Sequence, residues 1–203
     1  MNFPAFYDQT PRIRVRDPLS AFLGASDDGV LEYGYVDAVR LAGHSCPTLA
    51  GAYLMTVKAL KHLYGDSMPE RGGIQVYFRE AETTSATGVM GRVAALLTGA
   101  ARDDGFKGIA GRFDRRDRLF FGAAIEGDIG FRRIDTGAGV QVRFRGAAVP
   151  ASPETRDLLP AVLEGTGSPE DAERFRALWQ GRVKAILVDH ADDPALVELT
   201  GWA

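Results

Sequence analysis

The stretch Gly43-His44-Ser45-Cys46-Pro47-Thr48-Leu49-Ala50-Gly51-Ala52-Tyr53-Leu54-Met55 decides how this chain is read. Its apolar pattern continues through Val57, Leu60 and Leu63 to Tyr64-Gly65. Proline is favoured in the first turn of a helix, where its missing N–H costs nothing, and glycine just past the last turn. The spacing therefore predicts a long helix from Pro47 to Tyr64. Upstream, Tyr35 to Ala42 places Val36, Val39 and Leu41 near helical spacing and stops at Gly43. His44 then lies in a tight connection, and an imidazole and a thiol stand two residues apart where the long helix begins.

Working outward, Arg12-Ile13-Arg14-Val15-Arg16 alternates as an edge strand does, until Asp17-Pro18 breaks it before a short helix through Leu23. Ile74 to Arg79 alternates as a strand, and a second core helix is expected over roughly 90–101, with Val93, Leu96 and Leu97 on one face. Further strands are expected at about 107–113, 119–125, 129–134 and 140–144, the last two joined by a turn at Thr136-Gly137-Ala138-Gly139. After Pro150 the pattern turns helical, first around 154–163 and then from a Ser168-Pro169-Glu170-Asp171 capping box through Phe175, Leu178, Trp179, Val183, Ile186 and Leu187. The reading is α+β: a mixed, roughly five-stranded sheet flanked by helices, residues 1–150 forming the core domain with its N-terminal arm and 151–203 a helical tail packed on the sheet.

The chain has 203 residues, 45% hydrophobic, with a formal net charge of −3, which suits one compact domain and gives no global field for nucleic acid or membrane. The segment Asp114-Arg115-Arg116-Asp117-Arg118 is basic, but its aspartates offset much of that charge, and it reads as a charged turn. No apolar run approaches the ~20 residues of a membrane span and the N-terminus lacks a leader pattern, so a cytoplasmic location is expected. With a single cysteine, an intramolecular disulfide and a four-cysteine zinc site are both excluded.

What chemistry exists therefore centres on His44 and Cys46. The positive end of a helix favours a thiolate at Cys46, and thiolate with imidazole suits zinc, or nickel or iron. A catalytic zinc takes three protein ligands, so a third is sought elsewhere. His62 lies too far along the long helix. His190 continues the stripe Val183, Ile186, Leu187 and is the preferred third ligand, with Glu80, Glu82 and Asp37 as oxygen donors of lower standing. Three uses of the pair stay open. It holds a metal for an accessory protein; it serves an enzyme, with Cys46 as nucleophile and His44 as base; or Cys46-Pro47 or His44 ligates haem, with Arg132, Arg133, Arg143 and Arg145 near the propionates.

The Gly-His-x-Cys-Pro segment opening a helix rich in small residues resembles the FmdE-like family, named for its association with formylmethanofuran dehydrogenase. Leu97-Thr98-Gly99 and Gly105-Phe106-Lys107 extend the likeness, over about residues 30–125. The resemblance implies an α+β core, a metal at the His/Cys position in some members, and a homodimer. Many members carry another cysteine before the second core helix, where this chain has Thr83-Thr84-Ser85-Ala86-Thr87, and many add a cysteine-rich zinc finger that this chain cannot form.

Overall fold

The computed structural model describes residues 2–202. Its centre is α3 (Pro47–Tyr64), apolar nearly all round: Leu49, Tyr53, Leu54, Met55, Val57 and Leu60 are each at most 1% exposed. A helix of this kind belongs inside a protein rather than on its surface. It begins at Cys46, whose extended backbone and side chain cap the first turn, with Pro47 next, and it ends at Gly65 with φ 54°.

A five-stranded sheet packs against α3 and α4 (Thr87–Thr98). Its strands are β3 (Ile74–Phe78), β4 (Leu119–Phe121), β5 (Ile129–Arg133), β6 (Gly139–Phe144) and β7 (Val197–Trp202), in the order β4-β3-β5-β6-β7. Only the β3–β4 pair is parallel, so the sheet is mixed, as the sequence led us to expect. Alternation sorts its faces. Ile74, Val76 and Phe78 of β3, with Ile129 and Phe131 of β5, enter the core. Tyr77 points the other way, stacking on Phe120 at 4.7 Å between ring centroids and meeting Trp202 edge-on at 5.1 Å.

A separate antiparallel ribbon joins β1 (Ile13–Arg16) to β2 (Val30–Tyr33), with α1 (Pro18–Leu23) between them, and α2 (Tyr35–Ala42) leads into the motif. Asp17 starts α1 by accepting from the backbone N–H groups of Leu19 and Ser20. Downstream, α5 (Pro153–Glu164) pairs with α6 (Pro169–Lys184), and a π-helical turn, Ala185–Asp189, continues α6. The Ser168–Asp171 capping box forms as expected.

Three expectations are corrected. Residues 107–113 form no strand: Gly108, Ala110, Gly111 and Phe113 all take positive φ, which curls the segment into a loop closed by Ile109 and Arg112. The strand expected at 119–125 is only Leu119–Phe121. The tail is not all helical, because Val197–Trp202 joins the sheet beside β6, and α6 with its π-helical turn lies on α3 rather than on the sheet, with α5 against α6. Gly130 and Gly139 leave room for the Trp202 ring, since a Cβ on Gly130 would come 2.7 Å from it. Among the described residues, no helix is long and apolar enough to cross a membrane.

Candidate functional site

The motif lies between α2 and α3. Gly43 caps α2 with φ 73°, a left-handed conformation that glycine adopts without strain. His44 is exposed, and its Nδ1 lies 3.0 Å from the Ala42 carbonyl oxygen. A carbonyl only accepts, so Nδ1 carries the hydrogen and Nε2 of the neutral ring keeps a free lone pair. This is the arrangement in which a histidine ligand's second nitrogen is fixed by a backbone carbonyl. Cys46 is half-buried against the core edge, and its Sγ accepts from Leu49 N at 3.4 Å. No hydrogen bond joins His44 to Cys46.

Ser45, between them, ties the loop to the rest of the protein. Its hydroxyl donates to Gln180 Oε1 at 3.1 Å and receives Tyr35 OH at 3.0 Å. Its carbonyl accepts from Trp179 Nε1 at 2.9 Å, and Tyr7 OH donates to the same Gln180 oxygen at 3.2 Å. Burial pushes the Tyr35 hydroxyl well above the ordinary phenol range, and burial also raises Tyr7 against the opposing hydrogen bond to Ser45. The network is therefore neutral, and it fixes the loop between helix α6, helix α2 and the N-terminal 3-10 turn Ala5–Gln9. The sequence reading did not single out Ser45 or Gln180. The one available signal was Trp179 and Gln180, side chains with donors, on the face that α6 turns inward.

A cleft of about 260 Å³ opens beside the start of α3. Thr48, two residues past Cys46, lines it on one side, and Ser85, Ala86 and Thr87 on another. This is the segment where the family resemblance implied a further cysteine. Ser85 holds φ 50°, a strained value for a residue with a side chain, of the kind that concentrates at binding sites. Arg79, Glu80 and Asp128 supply charge, Asp128 being fixed by Arg79 at 3.1 Å and by Phe144 N at 2.8 Å.

The other candidates lie apart from the motif. His190 ends the π-helical turn, with Nδ1 3.3 Å from Asp193 Oδ2, and the next residue's carbonyl accepts from Lys58. Trp179 meets Ser45 at one end of α3 and Ala191 meets Lys58 farther along, so α6 and its extension run beside α3 in the same direction. That places His190 roughly 15–18 Å from Cys46 along the helix axis. His62 is exposed on α3. Asp37 accepts from Gly34 N at the start of α2, Glu82 pairs with Arg102, and Glu80 with Arg79. Among the described residues, no group of three histidine, cysteine or acidic side chains converges as a metal site. The basic strand residues are engaged within the chain: Arg133 with Asp135, Arg143 and Arg145 with Glu198, and Arg132 over the Trp202 ring at 4.3 Å.

No curated protein matches this sequence. The FmdE family, described as "Molybdenum formylmethanofuran dehydrogenase operon", matches residues 41–193, from the end of α2 through His44 and Cys46 into the tail that the motifs alone had left outside the likeness. That match covers most of the chain, and the protein belongs to the FmdE family.

Proposed function

We propose that this protein is an accessory protein of the kind associated with the formylmethanofuran dehydrogenase operon, and that it holds a metal ion, or a cofactor carrying one, through His44 and Cys46. The observation that carries this reading is the contact of His44 Nδ1 with the Ala42 carbonyl oxygen at 3.0 Å, which leaves Nε2 of the neutral ring as a bare donor atom two residues from a thiol. An accessible nitrogen and a helix-capping sulfur suit zinc, nickel or iron. Two donors from one chain fit a metal that is received and passed on better than one that is caged, since the remaining positions stay with the incoming molecule. When bound, the metal would supply Lewis acidity at the start of α3. The chain's own part is to orient the imidazole through Ala42, to hold the sulfur at the helix start, and to keep the loop rigid through Ser45.

The test is elemental analysis with an absorption spectrum on wild type, His44→Ala and Cys46→Ala, purified without chelator. The expected result is near-stoichiometric zinc, nickel or iron in wild type, falling about tenfold or more in both variants, in line with the loss of a direct ligand. Wild type that carries no metal and takes up none from added zinc or nickel would overturn the proposal. A Soret band displaced by either substitution would replace the metal ion with haem.

A further inference from the structure

A cavity of about 480 Å³ opens at the C-terminal end of α3, the far end of that helix from His44 and Cys46. Its wall carries Arg71 from the loop after α3, Arg112 from the curled segment that was expected to be a strand, and Arg115 and Arg118 from the charged turn that follows it. Asp17 is shared by two of these, at 2.8 Å from Arg71 and 2.7 Å from Arg115. The side chains of Asp17 and Arg115 are only 5% and 8% exposed. Arg118 is half-buried and makes no side-chain hydrogen bond or ion pair with any described residue. Arg112 lies over the Phe113 ring at 4.8 Å and has no carboxylate partner among the described residues.

The acidic residues at the rim do not offset this charge. Asp135 is held by Arg133 at 2.6 Å, which leaves Glu70 and Asp17 against four guanidinium groups. Burial pulls Arg115 below its ordinary value, with repulsion from Arg71 and Arg118 opposing the attraction of Asp17, and burial lowers Arg118 against the attraction of Asp114 and Glu70. The cations thus stand close enough to oppose one another, and an anion among them would relieve that repulsion. The backbone is arranged around them: Gly72, at φ 90°, vacates the space that the Arg115 guanidinium fills. Ala110, Phe113 and Asp117 hold left-handed φ in the loop that carries three of the arginines. Such strain persists where the surrounding structure enforces it, commonly at ligand sites. Tyr64, Phe113 and Ile134 add apolar surface to the lining.

We propose that this cavity binds a small molecule bearing a phosphate or carboxylate on an aromatic or otherwise apolar body. The guanidinium fork matches the oxygens of either group, and the cavity has the size of a small-molecule site. The site stands on its own residues and does not depend on metal at His44 and Cys46.

Isothermal titration calorimetry of the full chain with phenyl phosphate, benzoate and inorganic phosphate tests it. Saturable binding of phenyl phosphate or benzoate is expected, weaker for inorganic phosphate, which lacks the apolar body, and weakening as salt rises. Arg118→Gln should reduce affinity about tenfold or more, as the loss of a charged hydrogen bond does. Arg112→Gln, at an exposed position, should weaken binding with no change in melting temperature, which guards against a folding defect at Arg118. Whichever of phenyl phosphate and benzoate binds tighter assigns the phosphate or the carboxylate. No saturable binding at millimolar concentration of any probe, or equal affinity in wild type and both variants, would overturn the proposal.

Discussion

The two ends of α3 are built on different physics. At its start, a neutral network of Tyr35, Ser45, Gln180 and Tyr7 holds the loop that carries His44 and Cys46. At its end, an ion cluster is buried, with Asp17 between Arg71 and Arg115, while the half-buried Arg118 and the exposed Arg112 make no ion pair with a carboxylate among the described residues. Neutral hydrogen bonds each contribute about 1 kcal/mol and are largely independent of pH and salt. A buried ion cluster is costly to break from one side, because the partner is left charged and dry. The first end should therefore tolerate single changes that the second does not.

Removing Asp17 is the sharpest way to break that contrast. Asp17→Ala leaves Arg115 buried without a counter-ion and uncaps α1, and should cost roughly 3–5 kcal/mol in denaturant unfolding. Burial alone would raise the Asp17 carboxyl, but the hydrogen bond from Arg71 and the charge of Arg115 outweigh it and hold the group below its ordinary value. A depressed carboxyl stabilises the fold above its unfolded value of about 3.9, and that stabilisation is lost as pH falls through the folded value. The acid limb of melting temperature against pH should accordingly be flatter in Asp17→Asn than in wild type; parallel limbs would place the acid sensitivity elsewhere.

Gly72→Ala attacks the same end from the backbone. Its Cβ would occupy the space of the Arg115 guanidinium at a φ that L-residues avoid, so a loss of about 2–4 kcal/mol is expected from overpacking and strain together. Ser45→Ala is the matching change at the other end. It strands Tyr35 OH and leaves Gln180 Oε1 with Tyr7 OH as its donor, and a loss of about 1–3 kcal/mol is expected by thermal unfolding. Its sharper use is as a crossed control: Ser45→Ala should leave phenyl phosphate affinity at the arginine cavity unchanged, and Arg112→Gln should leave the metal content unchanged.

The same division explains what could be read in advance. Signals local in sequence were legible: Pro47 and Gly65 bracket α3, the alternation of Ile74 to Phe78 marks β3, and Ser168 with Asp171 starts α6. The motif residues could be named because the imidazole, thiol and helix start lie within five positions. What failed was chemistry made between distant segments. Ile109 was expected in a strand, but Gly108 and Gly111 beside it take left-handed conformations that curl the loop. Val197-Glu198-Leu199-Thr200 alternates as a strand does, yet it follows two helices and read as part of their tail. Arg115 and Arg118 looked like a solvated turn, since Asp114 and Asp117 sit beside them in sequence. In space the partner of Arg115 is Asp17, and Asp114 turns to Arg116 instead.

The Asp17–Arg115 contact also bears on how fast the protein folds and unfolds. It closes a loop of 98 residues, so its chain-closure entropy must be met before the ion pair gives anything back. Contacts of that kind form late, after the helices and adjacent strands have docked. Changes at Asp17 should therefore leave the refolding rate close to that of wild type and appear almost wholly as faster unfolding.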